Sequence, residues 1–578
     1  MTAFLGVGAS LTGRRWIGPT LDQDRAAEAL SQSGLDPALA RVLAGRGVAP
    51  EAAAGFLAPS LRDLLPDPLT LRDMGRAAAR FAAAITARQR IAIFADYDVD
   101  GGASAALLLT WLRAMGHRAT LYIPDRIDEG YGPNDAAMAG LAAHHDLIVC
   151  VDCGTLSHGP IAAASGCDVL VLDHHQGGET LPPALAVVNP NRQDETGDLG
   201  HLCAAGVVFL LLVEVNRQLR ATGVQGPDLM AMLDLVALAT VADVAPLIGV
   251  NRALVRQGLR VLARRERVGL AALADVARMD RTPTAYHLGF LLGPRVNAGG
   301  RIGQADLGAR LLATNDPHEA AALADRLEVL NTERRTIEAA VRLAAEAQAT
   351  ARFTGGALVW AAADGWHPGV VGIVAARLKE ALNRPAVVIG FDGDEGKGSA
   401  RSVSGIDLGA AVARLAQEGL IARGGGHKMA AGLSLSRAQL EPAMARLEAL
   451  LAQQGAADIG AADLHLQGLL MPAAATIALI EQIDLAGPFG ASAPAPTFAF
   501  PAQVIRSPRR IGESHLRLTF GDGSSAVEAI CFGAFDGPLG PALMAATGRW
   551  HLAGRLEVNH YNGRSKPQLR LTDAAPAI

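Results

Sequence analysis

The sequence predicts an α/β protein of several domains: a doubly wound parallel sheet, a long connector helix, a second α/β domain and a small C-terminal β-barrel. Three observations carry that prediction. Short apolar runs alternate with helical patterns between residues 91 and 172 and again between 357 and 417, as parallel strands covered by helices on both faces do. After Asn315-Asp316-Pro317, a helix start, three dozen residues contain neither Gly nor Pro. Beyond about 465 the texture changes to short alternating runs broken by Gly, Pro and Ser, the pattern of a barrel. A chain of 578 residues also exceeds what one hydrophobic core holds together.

The elements follow in order. Residues 1–70 form an Ala/Leu-rich helical extension, closed by Pro59, Pro66 and Pro68. A first domain spans 71–315. It opens with the buried strand Ile91-Ala-Ile-Phe-Ala, a helix from Ala103 to Met115 and the strand Thr120-Leu-Tyr-Ile. A helix from Asp135 to Ala143, the strand Leu147-Ile-Val-Cys-Val, a short helix Ile161 to Ala164 and the strand Val169-Leu-Val-Leu follow. Residues 204–275 read as helices, including Leu229 to Val241. The connector helix spans 316–352, with Leu323, Leu327, Leu330, Ile337 and Val341 on one stripe. A second α/β domain covers 353–455, from the strand Ala357-Leu-Val-Trp to a helix near Ala438 to Leu451. The barrel domain covers 465–578.

Composition removes several classes. Half the residues are hydrophobic and 19% are charged, so disorder over most of the length is excluded. The longest uncharged apolar stretch, Leu202 to Val213, falls short of the ~20 residues that span a bilayer. The start Met1-Thr-Ala-Phe-Leu lacks the basic and apolar regions of a signal peptide. A soluble, cytoplasmic protein is expected. Five scattered cysteines make no disulfide framework. A net charge of −5 gives no global nucleic-acid footprint, so any polyanion site is local. One candidate is residues 501–572, where nine Arg/Lys face five Asp/Glu. Phe520, Phe532 and Tyr561 lie among them, which suits single-strand binding but fits a core role equally.

Four constellations carry chemistry. Asp96-Tyr-Asp98-Val-Asp100-Gly101-Gly102 directly follows the Ile91 strand. Three carboxylates in five residues repel one another unless a cation neutralises them. An acidic turn is the alternative, and the calcium-loop pattern fails because a strand precedes the run. Asp152-Cys153-Gly154 and Asp173-His174-His175 stand at the ends of two further strands, and Asp243 at the end of an apolar helix. Cys150-Val-Asp-Cys153 has a Cys-x-x-Cys spacing but begins inside a strand and has no second pair. In doubly wound sheets ligands bind beyond the carboxyl ends of the strands. Carboxylates with imidazoles there suit ions such as Mn²⁺, and enough ligands are present for two metals in one site.

These motifs, in this order, resemble those of the DHH phosphoesterase superfamily. The match is closest to its branch of bacterial single-strand-specific 5′→3′ DNA exonucleases. The similarity extends through Ile123-Pro-Asp-Arg126, Glu129-Gly-Tyr131-Gly, Val187-Val-Asn-Pro, Gly293-Pro-Arg295-Val-Asn297-Ala-Gly-Gly-Arg301 and Trp366-His367-Pro-Gly. It ends with Gly398-Ser399-Ala-Arg401 and Gly424-Gly425-Gly426-His427-Lys428. The resemblance implies a DHH-type sheet, a DHH-associated second domain that grips nucleic acid, and an OB fold in the tail. It implies two divalent ions, Mn²⁺ or Mg²⁺, held by Asp98, Asp100, Asp152, His174 and Asp243 with Asp96 as a further ligand.

The same resemblance gives catalytic roles to Asp98, Asp100 and Asp152, with His175 facing the scissile phosphate. Arg126, Ser399 and Arg401 resemble a pocket for a 5′ phosphate, and Tyr131, between glycines, suits stacking on a base or packing on its own loop. Arg295, Asn297, Arg301, His367, Gly425, Gly426, His427 and Lys428 complete the expected nucleic-acid contacts. Consecutive glycines let backbone N–H groups approach an anionic oxygen while Lys428 adds a point charge. The implied activity is metal-dependent hydrolysis of single-stranded DNA in recombination and repair. The implied partners are a RecQ-type helicase and a single-strand-binding protein, and nothing demands more than a monomer. A DHH phosphodiesterase acting on short RNA or cyclic dinucleotides is an alternative, though a small substrate needs neither the N-terminal region nor the tail. A non-catalytic replication scaffold is another, although every expected ligand is present.

Overall fold

The structure, a computed structural model, describes residues 3–125, 129–130, 132–521, 525–561 and 563–577. The chain forms two compact units, one of Leu64–Ile459 with Gly490–Ser492, the other of Met1–Asp63, Gly460–Phe489 and Ala493–Ile578.

In the first unit a five-stranded, all-parallel sheet comprises β1 (Ile91–Ala95), β2 (Ala119–Tyr122), β3 (Leu147–Val151), β4 (Asp168–Leu172) and β5 (Ala186–Val188), in the order β2-β1-β3-β4-β5. Every residue of β1 and β3 is buried. The continuous apolar runs thus mark strands covered on both faces. The predicted strands appear within a residue or two, and β5 is an addition. At three residues it is too short to show a period of its own.

Helix α1 (Val99–Ala114) leaves β1 with Asp98 as its N-cap. Helices α2 (Ala204–Ala221) and α3 (Leu233–Ala242) pack beside it. α4 (Gly293–Ile302) follows a π-helical segment, His287–Leu292. The connector helix α5 (Pro317–Arg352) has 36 residues, about 54 Å at 1.5 Å each. Asp316 caps it by accepting a hydrogen bond from His318 N at 2.8 Å. Its apolar stripe serves two cores: Leu323, Leu327 and Leu330 are buried in its first half, and Val341, Ala345 and Ala349 join the core of the second sheet.

That second sheet comprises β6 (Val359–Asp364), β7 (Ala386–Asp392), β8 (Glu395–Arg401), β9 (Arg423–His427) and β10 (Ala430–Ser436), in the order β9-β10-β8-β7-β6. Only β6 and β7 run parallel. Helix α6 (Pro368–Leu382) links them. The sequence shows no strand signal at β8, β9 or β10, and the structure gives the triple glycine a place in the sheet. Gly424, Gly425 and Gly426 are an edge strand paired with Leu433, Gly432 and Ala431, and not a loop. Glycine is required there for packing: a β-carbon on Gly424 would sit 2.5 Å from Ile421 Cδ1.

In the second unit a closed five-stranded barrel is formed by β11 (Phe498–Ile511), β12 (His515–Gly521), β13 (Ala526–Cys531), β14 (Arg549–Tyr561) and β15 (Arg564–Pro576). Phe500 and Phe520 pack edge to face in its core at 5.1 Å. Phe520 is therefore a core residue, while Phe532 and Tyr561 are exposed. The N-terminal segment belongs to this unit. Trp16 and Ile17 pair in parallel with Leu464 and His465, and buried Trp16 donates to Asp573 Oδ2 at 2.9 Å. All five cysteines are free. Among the described residues no helix is long and apolar enough to cross a membrane.

Candidate metal centre and nucleic-acid interface

The acidic loops converge at the carboxyl ends of β1, β3 and β4. Asp96 follows β1 and is buried. Asp98 accepts hydrogen bonds from Asp100 N (2.9 Å) and Gly101 N (3.1 Å), satisfying the first amides of α1. Gly101 must be glycine, since a β-carbon there would lie 2.4 Å from the Asp96 carbonyl oxygen. Asp100 is fully buried and accepts from Ala204 N (2.6 Å) and Ala205 N (2.8 Å), so its carboxylate sits on the N-terminus of α2. Asp152, at the end of β3, has φ 60°. Asp243 caps the C-terminus of α3, and Val244 beyond it has φ 59°, a conformation β-branched residues rarely adopt.

His174 gathers these groups. Its Nε2 lies 3.2 Å from Asp152 Oδ1, 3.6 Å from Asp100 Oδ2 and 3.7 Å from Asp243 Oδ2. That nitrogen is buried and hydrogen-bonds to none of them, although the residue itself is half-buried. Among the described residues three sets could hold a cation: Asp96–Asp98–Asp152, Asp100–His174–Asp243 and Asp152–His174–His175, each with donor atoms within 4.8 Å of one another. Electrostatics agree. Burial, then the charges of Asp100 and Asp98, pushes the Asp243 carboxyl up to about 9. Burial and the neighbouring aspartates push Asp152 well above the carboxylate range. Asp100 is raised for the same reason, burial first. Such a crowd ionises together at neutral pH only around positive charge. Its oxygen and imidazole donors fit Mn²⁺ or Mg²⁺.

Behind the histidines lies a network that sequence reasoning left out. Asp173 accepts from His174 N (2.8 Å), His175 N (3.2 Å), His175 Nδ1 (2.8 Å) and Thr155 N (3.1 Å). Burial opposes ionisation of Asp173, but these bonds overcome it and hold the carboxyl below its usual range. Burial lowers His175, yet the bond to Asp173 and the surrounding carboxylates raise it to about 9. Asn189, fully buried, donates to Thr155 Oγ1 and the His175 carbonyl, both at 2.8 Å, and Asn191 donates to the His174 carbonyl at 2.6 Å. The Val187-Val-Asn-Pro run, with Asn191 directly after it, held the signal: two asparagines beyond a strand end.

A cationic cavity of about 830 Å³ opens on the second sheet. Lys397, Ser399 and Arg401 alternate along β8 and so share the face that lines it, joined by Arg423 and the three glycines of β9. Arg401 donates to Ser399 Oγ at 2.9 Å. Lys397 and Arg423 escaped the sequence reading because β8 and β9 did. His427 ends β9 and Lys428 follows it, both exposed, and the His427 ring stands 6.4 Å from that of His175. His367 caps α6, its Nδ1 accepting from Gly369 N at 3.0 Å.

Arg295, Asn297 and Arg301 brace the site. Asn297 Oδ1 accepts from Val99 N at 3.1 Å, Arg295 pairs with Glu328 on the connector, and Arg301 donates to the Gly369 carbonyl at 3.0 Å. Arg126 and Tyr131 lie outside the described residues.

Three family models match in chain order: the DHH family, N-terminal domain, over residues 90–240, the DHHA1 domain over 355–453 and the RecJ OB domain over 466–573. The chain is 37% identical to the single-stranded-DNA-specific exonuclease RecJ of Dickeya dadantii, over 95% of this chain and 98% of that one. It is 33% identical to the RecJ of Bacillus subtilis, over 97% and 71%. The crystal structure of Thermus thermophilus RecJ in complex with Mn²⁺ is similar, with a TM-score of 0.80 at 31% identity, over 97% of this chain and 79% of that one. Its complex with Mg²⁺ gives 0.75 at 29%, over 97% and 78%. Domain order, near-complete coverage and the acidic cluster agree: the chain belongs to the RecJ family of single-stranded-DNA-specific exonucleases.

Proposed function

We propose that this protein hydrolyses single-stranded DNA from the 5′ end to mononucleotides, with two divalent cations, Mn²⁺ or Mg²⁺, in DNA recombination and repair. The observation that carries this reading is the convergence of Asp96, Asp98, Asp100, Asp152, His174 and Asp243, in sets within 4.8 Å, beside a cationic cavity. These six residues would hold the ions. Once bound, a metal pair supplies a water of lowered pKa and offsets charge on the attacked phosphate. His175, fixed by Asp173, faces the scissile phosphate and stabilises its developing charge. Ser399 and Arg401, with Arg126, take the 5′-terminal phosphate and so set polarity. His367, Gly425, Gly426, His427 and Lys428 follow the backbone, while Arg295, Asn297 and Arg301 hold the acidic loop and guide the strand.

The domain divisions at 70, 315, 352 and 455–465, a monomeric cytoplasmic protein, and cooperation with a RecQ-type helicase and a single-strand-binding protein belong to the same reading. The test uses single strands labelled at one end or the other. With Mn²⁺ present, mononucleotides should be released from the 5′ end first. Release from the 3′ end, or cutting without a divalent ion, would overturn the proposal.

A further inference from the structure

Two exposed aromatic residues, Tyr286 and Phe290, have no part in the proposed hydrolysis. Tyr286 and Phe290 are 52% and 69% exposed, and their rings stack at 5.1 Å with 24° between planes. Tyr286 precedes and Phe290 lies within a π-helical segment, His287–Leu292, a rare distortion that redirects side chains within a helix. The opposite side of this segment is pressed onto α3. A β-carbon on Gly289 would lie 3.3 Å from Val241 Cγ1, and one on Gly293 3.2 Å from Ala242 Cβ. Those contacts fix the segment against the last turn of α3, which ends in Asp243. Val244, 70% exposed and left-handed, follows at once. The segment that carries the aromatic pair is therefore packed against the turn of α3 that ends in Asp243. Exposed Arg278 and Arg281 precede it in a chain of net charge −5.

We infer that Phe290, backed by Tyr286, is a stacking platform for a nucleobase of the strand held at the metal centre. Burial does not account for the pair, since both rings turn outward. Bases stack on any aromatic face, so a platform here grips a strand of any sequence, and the nearby arginines suit the phosphates on either side. A nucleobase fits better than an apolar protein partner because the segment that carries the platform packs against the turn bearing Asp243, one of the residues that would hold the cations. The inference rests on the nuclease reading.

The test uses the full-length chain in EDTA, so that no strand is cut, and a fluorescently labelled dT₁₂. One abasic residue is walked through the strand. Phe290→Ala should weaken binding of intact dT₁₂ by about 5- to 150-fold. At one register the abasic strand should bind the unsubstituted protein more weakly by the same factor, while Phe290→Ala loses nothing further there. Phe290→Trp should restore the affinity, and Phe290→Leu, which keeps apolar bulk without a π-face, should not. Equal affinities for Phe290→Ala and the unsubstituted protein, or losses equal at every abasic register, would overturn the platform. If Phe290→Ala unfolds, Tyr286→Ala together with Phe290→Leu decides by the same register test. A protein that cuts strands with Mn²⁺ but lacks this coupling fails the platform alone. One that shows the coupling but never cuts fails the nuclease reading alone.

Discussion

The two sheets of the first unit present opposite chemistry, and they build it in opposite ways. At the carboxyl ends of β1, β3 and β4, buried carboxylates and imidazoles are fixed by capping amides, by the N-terminus of α2 and by Asp173. On the second sheet, Lys397 and Arg401 reach from alternate positions of β8 across a floor of glycine backbone. Buried like charges tolerate no loss of geometry, because each depends on the same shared counter-charge. Cations on a groove act nearly independently, each adding a contact to a flexible polyanion. Substitutions in the first sheet should therefore be all-or-none, and those in the second graded.

The sharpest test of that contrast is Asp152→Ala. It removes a residue shared by two of the three candidate ligand sets, and hydrolysis should fall by about three orders of magnitude or more. Binding of single strands should persist, since the substitution removes negative charge and leaves the cationic groove. Substantial Mn²⁺-supported cleavage by this variant would break the two-metal reading. Next in size is Arg401→Ala. A charge-assisted contact of ~1.5–3 kcal/mol corresponds to roughly ten- to over a hundredfold in affinity or rate. The unsubstituted protein should prefer 5′-phosphorylated strands by that factor, and the variant should lose most of the preference. Equal degradation of 5′-phosphate and 5′-hydroxyl strands by the unsubstituted protein would remove the pocket.

Titration separates the sheets further. The Asp243 carboxyl is pushed up to about 9, so a proton competes with any cation through the neutral range. A raised acid pKa also means that the metal-free fold is favoured at low pH and loses stability as pH rises towards 9. Cation binding should run the other way, with Mn²⁺ affinity rising by up to about tenfold per pH unit below 9 as that proton is displaced. Calorimetric titration at pH 6, 7 and 8 would check it, and Asp243→Asn should flatten the slope. A pH-independent affinity would show that Asp243 is not held protonated.

How much of this was legible in the sequence follows the same division. The first sheet could be read because apolar runs such as Leu147–Val151 end abruptly in Asp, and the end of a parallel strand is where side chains can converge. The long helix announced itself through Asp316, Pro317 and an uninterrupted stripe. β8 and β9 were hidden because Gly396, Gly398 and Gly424–Gly426 carry no side chain to set a period. Their extended form is imposed from outside, by pairing with β7 and β10 and by Ile389, Leu433 and Ile421, which occupy the space of the missing β-carbons. Asp173 and the two asparagines were visible as letters but not as a network, because hydrogen bonding across 14 to 18 residues leaves no spacing to detect.

Glycine substitutions turn that last point into an experiment. A β-carbon on Gly426 would lie 2.3 Å from the Ala430 carbonyl oxygen, whereas one on Gly425 meets nothing within 4 Å. Gly426→Ala should destabilise the unit by about 1–3 kcal/mol, read by denaturant unfolding. Gly425→Ala should leave stability nearly unchanged and weaken only strand binding, if its backbone approaches a phosphate. A Gly425→Ala protein that binds normally would confine the glycines to packing.

The barrel extends the comparison to the second unit, and its effect should be the smallest. Residues 501–572 are locally +4, nine basic against five acidic, and the hairpin of β14 and β15 exposes Tyr561, Arg564 and Lys566. Removing the whole tail would be uninformative. The N-terminal helices share its core through Leu30, Leu43, Phe498 and Phe520, so truncation would strip their packing as well. Two point changes avoid this. If the hairpin touches the strand's phosphates, Arg564→Ala combined with Lys566→Ala should lower the slope of log affinity against log salt by about 1.4, at 0.7 per single-strand contact. Affinity for long strands should drop several-fold at low salt. Cleavage of very short oligonucleotides should stay unchanged, since neither residue belongs to the unit that carries the acidic loops. An unaltered salt slope for long strands would assign the hairpin charges to solubility and leave the groove of the second sheet as the cationic track.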